Sequence, residues 1–379
     1  MNQGVIYSIA TKIGNPGLGI VSYHASRALL DKGLLKKVIS YGNKSDLPTP
    51  NVLALPGNPA KLLFFLPRHY YSPLRKGFLD YITSKIILKQ GCSIFHGWNN
   101  QALKSIKAAH KISAKTILEC GSTHQFFREK ILSEEHERYG IRITRIPGYA
   151  RQSSLEEIAL SDFIFLPSEF AKKTFIDAGI NENKLFVIKR GVNLDKFTPD
   201  IKRGNKLKVL FVGRLCLRKG VQYLLEAWKE MNLKDAELVL VGSTDDNIKS
   251  ILFKYNNVKN IVFKGFFKNP SDVYDVYKES TIFVFPTLEE GSAKVTYEAM
   301  AAGLPVITTE NSGSVVRNGL DGFIIPIRDS RAIMEKIYYF YENSRVIEVM
   351  GANAVESIKH YTWQRYRDNL IETYNKLPV

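Results

Sequence analysis

Cysteine is scarce in this chain of 379 residues, with only Cys92, Cys120 and Cys216 present. Three thiols so far apart build neither a disulfide framework nor a zinc site, and a reducing compartment is the expected setting. Long apolar runs are missing as well. The longest, such as Leu62 to Leu66, hold five residues, against the roughly 20 that a membrane-spanning helix needs. Met1 to Tyr7 carry no basic region followed by an apolar one, so no secretory signal is expected and the cytoplasm is the expected location. Acidic residues are in deficit, 37 against 53 lysines and arginines, for a net charge of +16. Such an excess points to a polyanionic partner: nucleic acid, phosphorylated substrates or an acidic membrane surface. No recognised nucleic-acid motif and no Walker loop occurs, so nucleic acid is not the expected partner. A basic nucleic-acid binder stands as an alternative that steep salt dependence would reveal.

What is present is regular alternation. Apolar, β-branched-rich runs recur at Val5 to Ala10, Lys37 to Tyr41, Val52 to Leu55, Ser93 to Phe95, Thr116 to Glu119, Phe163 to Leu166 and Leu185 to Ile188. They resume at Val209 to Val212, Leu238 to Val241, Ile261 to Phe263, Ile282 to Phe285, Val306 to Thr308 and Phe323 to Ile325. Helical patterns lie between them, which predicts parallel sheets covered on both faces, an α/β protein. The chain is long enough for two domains with cores of their own. The polar, interrupted stretch Asn193 to Lys206 is the expected boundary between them. A helical stripe of Trp363, Tyr366, Leu370 and Tyr374 marks a terminal helix.

The segment Thr281 to Thr309 carries the most functional information. A buried strand stops at Pro286, Gly291 is expected to open a helix, and Gly303-Leu-Pro closes it before the next strand. Glu290 and Glu298 lie eight residues apart, with the expected helix start at Gly291 between them. Glu290 is expected in the loop beside the helix amides and Glu298 on the helix. That setting suits a phosphate flanked by two polyols, as in a nucleotide sugar.

A second segment, Lys208 to Gly220, reads as a strand breaking at Gly213 into a basic loop with Arg214, Arg218 and Lys219. A helix with the apolar stripe Leu224, Leu225 and Trp228 follows. Cations ahead of a helix neutralise diphosphate oxygens. A third segment, Gly14-Asn-Pro-Gly-Leu-Gly19, is a glycine-rich strand-to-helix loop, though its spacing is not the dinucleotide fingerprint. His124 falls at the end of another buried strand, where ligands gather in open α/β sheets, and an ordinary loop histidine fits there equally well. His96 reads more simply as a structural histidine. Finally, Lys61 to Lys89 interleaves six basic residues with aromatics and one acid, Asp80. It reads equally as an anionic-membrane contact or a core helix with a basic rim. Pro67 and Pro73 argue against one long amphipathic helix there.

Taken together these segments resemble retaining glycosyltransferases of family 4, with the GT-B fold. Glu290 and Glu298 match its E-x7-E motif, Gly213 to Gly220 its G-R-L-x-x-x-K-G element, and Gly191 to Pro199 its G-V-D-x-x-x-F-x-P, with Asn193 in place of Asp. The resemblance implies two facing doubly wound Rossmann-like domains with an interdomain cleft. Residues 1–195 would bind the acceptor, 205–360 the donor, and 361–379 would cross back to the first domain. It implies transfer of a sugar from a nucleotide-diphospho-sugar to an acceptor hydroxyl, with a lipid-linked or surface-polysaccharide glycan as the expected acceptor. The catalytic set it implies is Glu290, His124, Lys219 and Arg214. Donor contacts fall on Arg214, Lys219, Glu290, Gly291, Ser292, Ala293, Glu298, Phe266, Gly17 and Gly19. No Asp-x-Asp triplet occurs, so neither a metal nor a cofactor is expected. A nucleotide-sugar 2-epimerase and a non-catalytic nucleotide-sugar-binding subunit share the fold and stand as alternatives.

Overall fold

A computed structural model describes residues 4–55, 68–142, 148–197, 199 and 206–378. Residues 61–67 of the basic-aromatic stretch, and 198 and 200–205 of the expected linker, lie outside the described residues. The chain divides into two compact units. One comprises residues 1–125, 144–189 and 363–379, the other 126–143 and 190–362.

The first unit is built on seven parallel strands: β1 (Val5–Ile9), β2 (Leu35–Ser40), β3 (Val52–Ala54), β4 (Ile94–Trp98), β5 (Lys115–Glu119), β6 (Phe163–Leu166) and β7 (Leu185–Val187). Their order is β3-β2-β1-β4-β5-β6-β7, so the winding reverses between β1 and β4. Helices α1 (Leu18–Asp31), α2 (Arg68–Gln90), α3 (Leu103–Lys111), α5 (Gly148–Leu160) and α6 (Glu169–Ile176) make the crossovers. Most of α4 (Gln125–Arg138) groups with the other unit.

The second unit has six parallel strands: β8 (Leu207–Val212), β9 (Ala236–Val241), β10 (Ile261–Gly265), β11 (Ile282–Phe285), β12 (Val306–Thr309) and β13 (Gly322–Ile325). The order β10-β9-β8-β11-β12-β13 reverses between β8 and β11. Helices α7 (Val221–Met231), α8 (Lys249–Phe253), α9 (Pro270–Glu279), α10 (Lys294–Ala301), α11 (Ser330–Glu342) and α12 (Ser344–Ile358) surround it. Each strand falls on one of the apolar runs of the sequence, and in the central strands this is because a parallel strand buried on both faces tolerates little else. In α7 the stripe Leu224, Leu225 and Trp228 is buried, at no more than 1% exposure each. By about 25 cal/mol per Å² of apolar area, a buried side chain of that size contributes about 2 kcal/mol.

The terminal helix α13 (Trp363–Lys376) belongs to the first unit. Its Tyr366, Leu370 and Tyr374 are buried in that unit's core, and Trp363 stacks on His24 with ring centroids 4.2 Å apart. By contrast α4 sends Ile131 into the core of the second unit. There Glu135, fully buried, accepts hydrogen bonds from Gln222 Nε2 (2.8 Å), Tyr223 OH (2.7 Å) and Arg328 Nε (2.8 Å).

One expectation needs correction. Residues 68–90 do form one long helix, α2, with Pro73 inside it. Its described span begins at Arg68. Pro73 falls near its amino end, where a single lost hydrogen bond leaves the long remainder free to propagate. Among the described residues no helix is long and apolar enough to cross a membrane.

Candidate active site

In an open α/β sheet, ligands gather at the carboxyl ends of the strands where the winding reverses. In the second unit those strands are β8 and β11, and both informative sequence segments begin there. The chain leaving β8 passes Arg214 and a short 3-10 turn, Leu217–Lys219, before Gly220 caps α7. Gly220 has φ +69°, and a Cβ at that position would lie 1.9 Å from the carbonyl oxygen of Pro286. Only glycine lets the backbones beyond β8 and β11 meet so closely. The two loops are then stitched together. Leu288 N–H (2.9 Å) and Thr287 Oγ1 (3.0 Å) both donate to the carbonyl of Arg218.

This stitching brings two cations onto one carboxylate. Arg218 Nη1 donates to Glu290 Oε1 at 2.7 Å, to the Glu289 carbonyl at 2.9 Å and to Glu289 Oε2 at 3.3 Å. Lys219 Nζ donates to the same Glu290 Oε1. Only 13% of the Lys219 side chain and 14% of the Glu290 side chain remain exposed. Burial holds the Lys219 ammonium below its ordinary pKa, against the pull of Glu290. Burial pushes the Arg218 guanidinium the same way, but there Glu290 and Glu289 outweigh it and the pKa rises. Both groups carry charge, within reach of solvent, at the end of the central strands.

The remaining sequence candidates of this unit fall around that cluster. Arg214 lies in the loop after β8 with 59% of its side chain exposed, and its Nε pairs with Asp245 Oδ1 at 3.1 Å. Glu298 projects from α10, paired with Lys294 (2.8 Å) and accepting from the buried Tyr277 OH (3.3 Å). Phe266 follows the edge strand β10 and is 72% exposed. Gly291, Ser292 and Ala293 form the turn before α10, whose first helical residue is Lys294 rather than Gly291. The amides of this turn also differ from expectation. Glu290 N–H donates to Asn311 O and Ala293 N–H to Ser312 O, each at 2.9 Å, so the segment after β12 engages them.

The other candidates belong to the first unit. Gly17 caps α1 with φ +82°, and a Cβ on Gly19 would lie 2.5 Å from the carbonyl oxygen of Lys12, so the loop is tightly closed. His124 follows β5 and is 2% exposed. Its backbone N–H donates to Thr174 Oγ1 at 2.9 Å, and its ring meets Phe175 edge-on. His96 is fully buried between Tyr374 OH (2.6 Å from Nδ1) and Glu119 (3.4 Å from Nε2), a structural placement.

Sequence reasoning gave Arg218 a minor place and missed Glu289, Asp245, Lys294 and Tyr277. For Arg218 a signal existed: a second cation beside Lys219, matched by a second carboxylate beside Glu290.

The family model described as glycosyl transferases group 1 matches residues 206–343. The capsular polysaccharide biosynthesis glycosyltransferase CapM of Staphylococcus aureus is 30% identical over 266 residues, 62% of this chain and 68% of that protein. The chain belongs to the glycosyl transferases group 1 family. Another relative is the Escherichia coli UDP-Gal:alpha-D-GlcNAc-diphosphoundecaprenol alpha-1,3-galactosyltransferase, 32% identical over 201 residues. That match covers 47% of this chain and 50% of the relative, so the chain spans about half of that protein's length. Among solved structures, Anabaena HepE in complex with UDP superposes with a TM-score of 0.70 at 16% identity, covering 99% of this chain and 100% of that one. The fold is GT-B, and the cluster of Arg218, Lys219 and Glu290 lies inside the span that the family model matches.

Proposed function

We propose that the chain is a retaining, metal-independent glycosyltransferase of family 4 that moves a hexose from a nucleotide-diphospho-sugar to an acceptor hydroxyl. The observation that carries this reading is the pair of cations on Glu290 at the winding reversal of the second unit. Lys219 and Arg214 supply the counter-charge for a departing diphosphate. Glu290 takes donor-sugar hydroxyls, Glu298 the ribose diol, and Phe266 lies beside the base. In this reading the leaving diphosphate draws the proton from the acceptor hydroxyl, which attacks the anomeric carbon from the same face. Positioning two substrates and stabilising the departing charge are both established sources of rate. The HepE structure holds UDP, in keeping with a nucleotide-diphosphate donor.

The test is release of nucleoside diphosphate from UDP-, GDP-, ADP- and dTDP-sugars, with EDTA present and Lys219→Ala as control. Release from one donor, insensitive to EDTA and lost in the variant, is the expected result. Conversion of the donor sugar with no acceptor present would identify an epimerase instead.

The acceptor falls to the first unit, and a glycan on a lipid carrier is the proposed class. The galactosyltransferase relative is named for a diphosphoundecaprenol-linked substrate. Helix α2 supports a peripheral position on an anionic membrane. Leu74 (54% exposed), Phe78 (38%), Tyr81 (45%) and Leu88 (46%) stand out from it together with exposed Lys85. At 100° per residue these five positions fall within about 80° of arc, along roughly 21 Å of helix. The ammonium groups of Lys85 and Lys104 each lie 5.4 Å from the Tyr81 ring. Within α2 the single acid, Asp80, is buried and accepts from the amides of Lys104 and Ser105 at the start of α3. An apolar stripe with basic flanks suits the interface of an anionic bilayer. Co-sedimentation with phosphatidylglycerol vesicles, reduced in Leu74→Ser/Phe78→Ser, tests it. Equal partitioning to neutral and anionic vesicles counts against it.

A further inference from the structure

Lys219 Nζ already donates to Glu290 Oε1, so a diphosphate arriving at Lys219 competes with that carboxylate for the ammonium. A carboxylate with only 14% of its side chain exposed, stripped of its cation, is strongly unfavourable. Glu290 has a second cation on the same oxygen, Arg218 Nη1 at 2.7 Å. Arg218 is in turn held independently of Lys219. Its carbonyl accepts from Leu288 N–H (2.9 Å) and Thr287 Oγ1 (3.0 Å), and its guanidinium grips the Glu289 carbonyl (2.9 Å). Arg218, Lys219, Glu289 and Glu290 sum to zero charge. An incoming dianion therefore meets no surplus cation here and has to re-partner the ones present. The Arg214–Asp245 pair, with side chains 59% and 35% exposed, is better solvated and easier to part.

We propose that Arg218 is a positioning residue that retains Glu290 in place as Lys219 exchanges that carboxylate for the donor diphosphate. This rests on the donor-site reading above. One carboxylate with two cations becomes one carboxylate and one diphosphate with a cation each. Glu290 then keeps the orientation from which it takes a sugar hydroxyl. Without Arg218, Glu290 would compete with every incoming diphosphate for Lys219.

Calorimetric binding of UDP, GDP, ADP and dTDP to the full chain tests the exchange, using whichever the wild type binds. Arg218→Gln is expected to weaken nucleoside diphosphate binding about tenfold, the scale of one charge-assisted hydrogen bond. Glu290→Gln, which frees Lys219, is expected to bind nucleoside diphosphate at least as tightly as wild type while losing sugar transfer. The double variant Arg218→Gln/Glu290→Gln is expected to return to the affinity of Glu290→Gln, and Arg218→Lys to fall between wild type and Arg218→Gln. A purely structural Arg218 would instead lower the melting temperature and affinity together, with no recovery in the double variant. That outcome overturns the proposal, as does an Arg218→Gln protein with wild-type affinity. If wild type binds none of the four nucleotides, the donor-site reading and this inference both fail. Wild-type binding without the expected pattern removes only the inference.

Discussion

Each sheet has a loop leaving the strand just past its winding reversal, and the two are fastened by different kinds of group. In the second unit the loop after β11 is held by a cation, Arg218, through the Glu289 carbonyl and the Glu290 carboxylate. In the first unit the loop after β4 is held by a buried carboxyl group. Glu157, on α5 and 1% exposed, accepts from the backbone N–H groups of Asn100 (2.5 Å) and Ala102 (2.9 Å) and from Asn99 Nδ2 (3.1 Å). The partners decide what each can do. Glu157 is satisfied largely by backbone amides, which cannot leave, so it is a fastener. Glu290 is satisfied by side-chain cations, which can exchange it for another anion. A charged residue at a strand end is thus a site candidate only when its partners are exchangeable.

Changes in the second loop should therefore remove activity with little effect on stability, and changes in the first should do the reverse. The largest effect is expected for Lys219→Ala and Glu290→Ala. Each should cost about 3 kcal/mol of transition-state stabilisation, roughly a hundredfold in transfer rate, with the protein still folded. Near-wild-type turnover in either variant would remove the site assignment. Next is Gly220→Val, where the side chain would meet the Pro286 carbonyl oxygen at a φ of +69°. A loss of at least about 1–3 kcal/mol is expected from backbone strain alone, read by denaturant unfolding, together with loss of transfer.

Glu157 sharpens the contrast through pH. Burial pushes its carboxyl up to about 8, against the amides that pull it down. Its folded pKa lies above the unfolded one, so the folded state binds the proton more tightly. That stabilisation is complete below about pH 4.5 and is lost as pH rises through about 8. The melting temperature of wild type should therefore fall relative to Glu157→Gln between those limits. Parallel melting curves across that range would show that Glu157 is ionised in the fold. The smallest effect is expected for Tyr374→Phe, which removes one buried hydrogen bond to His96. About 1 kcal/mol of stability should be lost, with transfer unaffected.

The strands were legible because burial on both faces writes itself as a continuous apolar run. Glu290 and Lys219 were legible because each sits at a fixed offset from a strand end and a glycine. The Arg218 clamp was half legible, since its partners lie 71 and 72 residues away. The Glu157 fastener and the Glu135–Arg328 pair were not legible, as their partners are 55 to 58 and 193 residues distant. No local pattern encodes such pairings. The turn before α10 misled for a related reason. Gly291 looks like a helix start, but hydrogen bonds from the segment after β12 hold residues 290–293 out of the helix.

The interleaving of the two units along the chain bears on how such enzymes can be recombined. A chimera made by a single crossover near residue 195 would carry α4 and α13 from the wrong parents. The Glu135 network would then be split between two ancestries, and so would the Tyr366, Leu370 and Tyr374 packing. Exchanging the second unit intact requires cutting at 125, 143, 189 and 362.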